Sequence, residues 1–318
     1  MKIRILLCST RLAGTYTQCK GVAQLVQQML RARGITASVS RLSWLDRQIN
    51  RLPFARRLVK PAIVISCASL GERKARKFLK DRRNVIWAHI ETPDLSASSP
   101  DYVYVEQRDW QPAFDARKQF IKLHGVPHAV RREDLANRRA DARLRLGVAE
   151  EPVAVFLLGG SNPAFNLDEG AAESLLAALS RCRSEGKRIF ISTSRRTEAS
   201  VVKLVSERAG EGISAYTGIG PNPYMDYLAA ADELFVTEDS VTMCCEALAT
   251  GKPVYLLWLA PIPGPRLDSF RRFQEHFIDR LGVLGVYPDK VRSSCDVPDD
   301  TKTIADALVA AYLGDERS

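Results

Sequence analysis

The sequence predicts an α/β protein of two domains, each with a mostly parallel sheet, which face each other across a cleft. Short apolar runs rich in β-forming residues alternate with segments whose apolar residues recur at helical spacing. Polar residues cluster directly after several of these runs, and parallel sheets bind ligands beyond the carboxyl ends of their strands. The charge is also unevenly divided, because residues 1–150 carry a net charge of +16 and residues 151–318 carry −7. These observations together predict two domains with different partners.

In the first half of the chain, strands and helices are predicted in alternation. The predicted strands cover residues 2–9, 37–42, 62–67, 85–90 and 102–105. The predicted helices cover 18–33 and 72–83, and a polar loop at 10–17 contains Gly14. Apolar residues and arginines alternate over residues 44–60, where Pro53 interrupts any single helix. Two interpretations of that segment stay open: a helix packed on the sheet, and a basic amphipathic segment lying on a membrane surface.

The second half shows the same alternation after a connector. Residues 131–146 predict a charged helix, and the loop at 147–152 predicts the boundary between a basic domain, 1–148, and a second domain, 149–318. Strands are predicted at 153–158, 188–193, 234–237 and 254–257. Helices are predicted at 168–183, 224–231, 241–250, 267–281 and 303–312.

The stretch from Leu234 to Leu257 indicates where a ligand would bind. It reads as a buried strand, a short polar turn, a helix that ends at Gly251, and a second strand, which is one βαβ unit of a parallel sheet. Five polar side chains surround the start of the helix, and Glu246 lies about one turn further on. The five are Thr237, Glu238, Asp239, Ser240 and Thr242. A helix cap alone would explain one of them, so the pattern favours a ligand site.

Two further turns in the second half are typical of anion binding. Gly159-Gly160-Ser161-Asn162 follows a buried strand, and paired glycines let a backbone approach a phosphate closely. The fuller G-x-G-x-x-G pattern is absent, which argues against NAD. Ser194-Arg195-Arg196 follows the next strand, where the arginines would meet an anion or would instead pair with Glu198 or the acidic surface.

Composition excludes several classes of protein. The seven cysteines form no C-x-x-C pair and the four histidines form no H-E-x-x-H motif, so we expect reduced thiols, a cytoplasmic protein and no metal site. No apolar run approaches the roughly 20 residues that a membrane-spanning helix requires. The first residues predict a strand and not a signal peptide.

Six segments resemble the mitochondrial fission Elm-type family, whose bacterial members are described as glycosyltransferases. The matching segments are TRLAGTYTQCKGVA (10–23), GVPHAV (125–130), FLLGGSN (156–162), ISTSRRT (191–197), NPYMDYLAAAD (222–232) and VTEDSVTMCCEALATGKPVYLL (236–257). The family has a His-Asp pair after its fourth strand, whereas this chain has Arg108-Asp109.

The resemblance implies a GT-B-like fold of two Rossmann-like domains, with a nucleotide-sugar donor in the second domain and an acceptor in the first. It implies no metal and no other cofactor, because helix dipoles and basic side chains stabilise the diphosphate leaving group. Ser240 and Thr242 would lie near phosphate, Glu246 at the ribose and Arg195 near the developing charge. The full donor-binding set is Gly159, Gly160, Ser161, Asn162, Ser194, Arg195, Arg196, Asn222, Tyr224, Glu238, Asp239, Ser240, Val241, Thr242 and Glu246.

The acceptor hydroxyl would need a general base from the first domain. Asp109 ranks first among the candidates, ahead of Glu106, His128 and Glu91. Gly14, Thr15 and Gln18 are predicted on the acceptor side. His128 has a second interpretation, in which it only orients the connector.

Three functions therefore remain open on the sequence. The first is glycosyl transfer to a glycan or lipid-linked acceptor, with the basic domain drawn to the anionic cytoplasmic face of a membrane. The second is a non-catalytic adaptor of the same fold, which binds a protein or membrane partner. The third, nucleic-acid binding, ranks last because no recognised binding module is present, so no nucleic acid is expected as a partner.

Overall fold

The computed structural model describes residues 2–10, 13–49, 62–80, 84–94, 100–208, 210, 212–288 and 297–314. The chain divides into two compact units. Unit 1 comprises Met1–Ala129 and Asp299–Ser318, and unit 2 comprises Val130–Pro298.

Unit 1 contains a parallel six-stranded sheet. Its strands are β1 (Lys2–Cys8), β2 (Thr36–Arg41), β3 (Ile63–Cys67), β4 (Ile86–Ile90), β5 (Tyr102–Glu106) and β6 (Phe120–Leu123), in the order β2-β1-β3-β4-β5-β6. The helices within Met1–Ala129 are α1 (Ala13–Ala32), α2 (Trp44–Ile49) and α3 (Ala68–Leu79), with short 3-10 turns at Gln107–Asp109 and Pro112–Phe114. The direction of strand addition reverses between β1 and β3, as in doubly wound folds.

Unit 2 repeats this architecture with a second parallel sheet. Its strands are β7 (Val153–Leu158), β9 (Arg188–Thr193), β10 (Ile213–Tyr216), β11 (Glu233–Thr237), β12 (Val254–Leu257) and β14 (Gly285–Val286), in the order β10-β9-β7-β11-β12-β14. A separate antiparallel pair joins β8 (Phe165–Asn166) and β13 (Ala260–Pro261). The helices are α4 (Arg132–Arg145), α5 (Glu169–Ser184), α6 (Ala199–Arg208), α7 (Tyr224–Ala230), α8 (Val241–Leu248) and α9 (Pro265–Glu275). Here the order reverses between β7 and β11.

The last helix, α10 (Asp300–Leu313), returns to unit 1 and packs on α1. Its Ile304 and Leu308 are fully buried in one core cluster with Val22 and Val26 of α1. The Thr301 hydroxyl accepts a hydrogen bond from the His128 N–H at 2.9 Å and donates to the His128 carbonyl at 3.0 Å. The C-terminal segment is therefore part of the first unit, not of the second as the predicted boundary placed it.

The connector helix α4 also belongs on the other side of the predicted boundary. The Arg139 guanidinium caps α7 by donating to the carbonyls of Ala229, Ala230 and Ala231, and it forms an ion pair with Asp232 at 2.6 Å. Cationic caps of this kind satisfy the last carbonyls of a helix. The units therefore meet at residues 129/130, and the predicted boundary at 148/149 marked a loop inside unit 2.

The structure corrects several predicted elements. The predicted loop at 10–17 is too long, because α1 begins at Ala13 and includes Gly14 and Thr15. Sequence analysis missed β6, β10, β14 and α6, since each is short or only partly apolar. In the segment 44–60, α2 is present, while residues 50–60 of that predicted amphipathic segment lie outside the described residues.

The structure bears on the predictions of reduced thiols and of no membrane-spanning helix. The six cysteines within the described residues are buried and form no disulfide bond, and Cys295 lies outside the described residues. Among the helices of the described residues, none combines the length and the apolar character needed to cross a bilayer.

Thr301→Val should destabilise the protein, since it leaves a buried N–H and a buried carbonyl of His128 without their partner at nearly constant volume. The expected loss in free energy of unfolding is about 1–3 kcal/mol, measured by urea denaturation. Thr303→Val is the matched control, because Thr303 is exposed on the same helix. Equal stability of the two variants would contradict the role assigned to the Thr301 hydroxyl.

Candidate functional site

The carboxyl ends of β7 and β11 lie side by side at the point where the strand order of unit 2 reverses. Register pairs Leu157 with Val236, so the turns after Leu158 and Thr237 leave the sheet at neighbouring positions. Phe156 and Phe235 stack one residue earlier, with ring centroids 4.5 Å apart. Ligands of doubly wound sheets bind at such a reversal. The two predicted polar turns therefore meet at the expected edge.

The Gly159–Ser161 turn is held by side chains of the neighbouring elements. The Gly159 N–H donates to Thr237 Oγ1 at 2.7 Å, and the Gly160 N–H donates to Asp239 Oδ2 at 3.1 Å. The Ser161 N–H donates to Glu198 Oε1 at 2.7 Å. A Cβ on Gly159 would lie 2.0 Å from Asp239 Oδ1, and a Cβ on Gly160 would lie 1.9 Å from the Arg196 carbonyl. Glycine is thus required here for close packing, and a phosphate at this turn would have to displace existing acceptors.

Asp239 connects this turn to its surroundings. Its buried carboxylate accepts hydrogen bonds from the Thr237 hydroxyl at 2.6 Å and from Arg196 Nη2 at 2.6 Å, in addition to the Gly160 N–H. Asn162 Nδ2 donates to the Asp239 carbonyl at 3.1 Å. Burial raises the pKa of Asp239, although Thr237 and Arg196 oppose that shift. Of the open alternatives for Arg196, the structure shows an ion pair, but with Asp239 and not with Glu198.

The neighbouring Ser194 and Arg195 differ from Arg196 in their partners. The Ser194 hydroxyl donates to the Gly159 carbonyl at 3.2 Å and so supports the same turn. Arg195 is exposed, and no residue that the structure describes forms an ion pair with it. Arg195 is therefore the arginine of this loop that is available to an anion.

Helix α8 begins directly after this network. Ser240 caps it, since its hydroxyl accepts from the Met243 N–H at 3.4 Å. Within the described part of the chain, the N–H groups of Val241 and Thr242 have no protein acceptor. The first turn of a helix carries partial positive charge and favours an anion. The predicted phosphate contact is thus better supported at α8 than at the glycine turn.

Glu246 lies one turn further along α8, next to the start of α7. The Tyr224 hydroxyl donates to Glu246 Oε2 at 2.6 Å, and Asn222 Oδ1 accepts from the Tyr224 N–H at 2.9 Å. Burial raises the pKa of Glu246 to about 7 and holds the pKa of Tyr224 well above its ordinary value. The structure therefore groups three predicted donor-binding residues from distant parts of the sequence.

Glu238 directly follows Thr237, which lines an apolar pocket that was not predicted from the sequence. Its carboxylate accepts from the Leu259 N–H at 3.4 Å, and burial raises its pKa to about 7. The pocket is lined mainly by aliphatic side chains of β7, α5 and β12, together with Thr237 and Trp258. The half-exposed Trp258 directly after an apolar strand was the signal that would have indicated it.

Unit 1 gathers a second polar group at the carboxyl ends of β3, β4 and β5. Arg108 Nε lies 2.9 Å from Glu106 Oε2 and 3.5 Å from Asp109 Oδ2. Glu106 is 6% exposed, and burial raises its pKa to about 8 despite Arg108. Burial also raises the pKa of Glu91. Three of the four candidate bases thus lie close to one another, and Asp109 is more exposed than Glu106.

The remaining predicted residues of unit 1 lie on or near α1. The Cys67 thiol lies 3.5 Å from Gln18 Oε1, so Gln18 belongs to the group that includes Glu91. The hydroxyls of Thr15 and Thr10 are 2.5 Å apart. The His128 backbone is bonded to Thr301, and its carbonyl lies so close to Gly21 that a Cβ there would be 2.2 Å away. These contacts fix the backbone at His128, and both interpretations of this residue, as a catalytic base and as a residue that orients the connector, stay predictions.

Metal binding has no support from grouped ligands. In the chain as far as it is described, no three His, Cys, Asp or Glu side chains are arranged to hold a metal ion. The predicted absence of a metal stays a prediction, to be tested with the nucleotide measurements below.

Comparison with known proteins places these features in a family. The family model "Mitochondrial fission ELM1" matches residues 13–312. A similar protein is the mitochondrial fission protein ELM1 of Arabidopsis thaliana, with 29% identity over 224 residues. That match covers 62% of this chain and 51% of the relative, so the chain spans about half the length of the plant protein.

Two solved structures illustrate the fold. The UDP-GlcNAc 2-epimerase from Neisseria meningitidis bound to UDP-GlcNAc is similar with a TM-score of 0.56 and 13% identity, covering 99% of this chain and 100% of that chain. The glycosyl transferase family 9 protein from Veillonella parvula DSM 2008 is similar with a TM-score of 0.54 and 13% identity, covering 97% and 98%. Such identities show the fold alone, and they confirm the predicted GT-B-like α/β class.

Glu246→Gln should make the free energy of unfolding less dependent on pH. The unfolded chain loses this proton near pH 4.5 and the folded chain only near pH 7, so wild-type stability falls as the pH rises between these values. Between pH 5 and pH 8 the wild type should lose about 2 kcal/mol relative to the variant. Urea denaturation at both values measures this, with Glu207→Gln on the exposed face of α6 as control. An unchanged difference at the two pH values would contradict the burial of a titrating Glu246.

Proposed function

The chain belongs to the mitochondrial fission ELM1 family, and on that premise we propose that unit 2 binds a nucleotide sugar whose sugar the protein transfers to an acceptor hydroxyl. One observation carries the proposal. Helix α8 starts at the strand-order reversal of the sheet, with the Val241 and Thr242 N–H groups lacking acceptors among the described residues and with Glu246 one turn further on. The similar epimerase from Neisseria meningitidis is bound to UDP-GlcNAc, which supports this ligand class.

The proposal gives each group a chemical task. The pyrophosphate lies at the first turn of α8, against the Thr242 hydroxyl and the two N–H groups, and exposed Arg195 offsets charge as the diphosphate leaves. Glu246 and Tyr224, already bonded to each other, bind the ribose hydroxyls. The Gly159–Ser161 turn and Asp239 hold the start of α8 in place and need not contact phosphate themselves.

The acceptor hydroxyl loses its proton to a carboxylate of unit 1, and Asp109 is the first candidate. The side chain of Asp109 is 39% accessible, so a substrate can reach its carboxylate. Glu106 is less suited to be a base, because burial keeps it protonated near neutral pH. No metal ion and no further cofactor is part of this proposal.

Nucleoside diphosphates should raise the melting temperature of the protein. A ligand at 100 times its Kd stabilises the native state by about 2.7 kcal/mol, which is a shift of several degrees for a chain of this size. UDP, GDP, ADP and CMP are compared in a thermal-shift assay, each with and without Mg²⁺. The response to the preferred nucleotide should be independent of Mg²⁺, and it should fall in Arg195→Ala and in Thr242→Val.

Arg208→Ala is the control for that experiment, because Arg208 is an exposed basic residue of the same unit on α6. A protein that melts cooperatively but responds to none of the four nucleotides would contradict the proposal. A response that is lost equally in Arg208→Ala would show non-specific binding of anions.

A non-catalytic adaptor is the second candidate function, and the similarity to a mitochondrial fission protein of Arabidopsis thaliana favours it. An adaptor would keep the fold for binding a protein partner and would not require a nucleotide site. The thermal-shift experiment separates the two functions, because the adaptor hypothesis expects no selective nucleotide response.

We also propose that unit 1 contacts an anionic membrane surface, where a lipid-linked acceptor would lie. Counted over the structural units, unit 1 has a net charge of +11 and unit 2 of −2. Arg73, Lys77 and Lys80 are exposed at helical spacing on and just after α3, and Trp44 and Leu45 of α2 are also exposed. A basic residue near an anionic bilayer contributes about 1 kcal/mol to binding.

The triple variant Arg73→Glu, Lys77→Glu and Lys80→Glu should abolish flotation with vesicles that contain phosphatidylserine. The control carries the same change of charge on unit 2, at Lys203, Arg208 and Arg271, and should float as the wild type does. Equal flotation of the wild type with neutral and anionic vesicles would contradict the membrane proposal and leave the nucleotide proposal unaffected.

A further inference from the structure

The polar group of unit 1 combines side chains from three neighbouring strands. Cys67 ends β3, Glu91 directly follows β4, and Glu106 ends β5, and these strands are adjacent in the sheet. The Cys67 thiol lies 3.3 Å from Glu91 Oε1 and 3.5 Å from Gln18 Oε1. Glu91 has a φ of 82°, in the left-handed region that side-chain-bearing residues rarely adopt. A strained backbone conformation at a strand end is a frequent feature of binding sites.

Glu106 supplies the observation that points to a ligand. Arg108 binds its Oε2 at 2.9 Å, whereas Oε1 is buried and has no hydrogen-bond partner among the described residues. The residue as a whole is 6% exposed. A buried polar atom without a partner loses its hydration and receives nothing in return, so native structures seldom keep one unless a ligand or water satisfies it.

The charges around Glu106 define what that ligand can be. Glu91, Asp109 and Asp300 all act on Glu106 electrostatically, and Arg108 is the cation that opposes them. An anionic group would be repelled by the carboxylates that outnumber this arginine. Burial raises the pKa of Glu106 to about 8, so that near neutral pH its carboxyl is an O–H donor. Glu91 and Asp109, which are less buried, offer acceptors on the same side of the sheet.

A hydroxyl group both donates and accepts hydrogen bonds, which suits a site that contains an O–H donor and carboxylate acceptors. We propose that unit 1 binds an uncharged, polyhydroxylated sugar residue, in which Glu106 donates a hydrogen bond to a sugar oxygen while Glu91 and Asp109 accept from sugar hydroxyls. The inference rests on the proposed function, because this sugar residue would be the acceptor. According to this inference, the sugar residue of the acceptor that unit 1 binds is uncharged and carries no phosphate.

Ligand-observed NMR tests the inference on the full chain. The probes are the methyl glycosides of glucose, galactose, mannose and N-acetylglucosamine, each compared with the 6-phosphate of the same sugar. At least one neutral glycoside should bind at pH 7, and its phosphate should bind at least about tenfold more weakly. Wild-type binding should weaken as the pH rises through about 8, because Glu106 then loses its donor proton.

Two variants and a control separate recognition from folding. Glu106→Gln retains an N–H donor that does not titrate, so its binding should lose the pH dependence, whereas Glu106→Leu should weaken binding about tenfold or more. Asp306→Asn should bind as the wild type does, because the Asp306 side chain on α10 is 46% exposed and pairs with Lys302. Circular dichroism at each pH verifies that the variants are folded.

Three results would overturn the inference: no glycoside binding by the folded protein, equal or tighter binding of the phosphates, or binding of the wild type that does not change between pH 6 and 9. The nucleotide assay on the same protein keeps the two proposals apart. A nucleotide response without glycoside binding overturns this inference alone, and glycoside binding without a nucleotide response overturns the donor assignment alone.

Discussion

The buried carboxylate of Asp239 is the interaction on which the edge of unit 2 depends. It joins the strand end at Thr237, the glycine turn after β7 and the arginine of the loop after β9. The glycine turn and the arginine loop are connections between regular elements, whereas Thr237 ends β11. Burying a carboxylate is costly unless its oxygens are bonded, and here both oxygens have donors. The start of α8, which immediately follows Asp239, is thereby held in one position relative to the sheet.

This constraint explains why the glycine turn was easy to find in the sequence and hard to interpret. A Gly-Gly pair after a buried strand is typical of a phosphate turn, and the location at the sheet edge was predicted well. The contacts are long-range in sequence, since Gly159 and Gly160 bond to residues almost 80 positions away. Spacing along the chain does not contain that information. The glycines are required because Asp239 and the Arg196 carbonyl occupy the space of a Cβ.

For the fold as well, local sequence patterns could be predicted, whereas contacts between distant parts of the chain could not. Fully buried strands such as β3 and β7 are continuous apolar runs, and the helices between them have clear periodicity, so the parallel architecture followed from the sequence. The short edge strands β6, β10 and β14 carry too few apolar residues to be recognised. The return of α10 to unit 1 depends on Ile304 and Leu308 fitting against α1, a tertiary match that a boundary assigned from loop composition cannot detect.

Glu246 of unit 2 and Glu106 of unit 1 are buried near the carboxyl edges of their sheets, and the two glutamates differ in what surrounds them. Glu246 is bonded to a neutral phenol, and burial alone raises its pKa to about 7. Glu106 has a guanidinium at 2.9 Å and still has a pKa of about 8, because burial and the surrounding carboxylates outweigh Arg108. Selection for stability alone would favour a side chain that cannot ionise at either position, because burial opposes ionisation of both glutamates in the folded state. Perturbed carboxyls cluster at functional sites, and in the two proposals above both glutamates are retained for their interactions with a ligand.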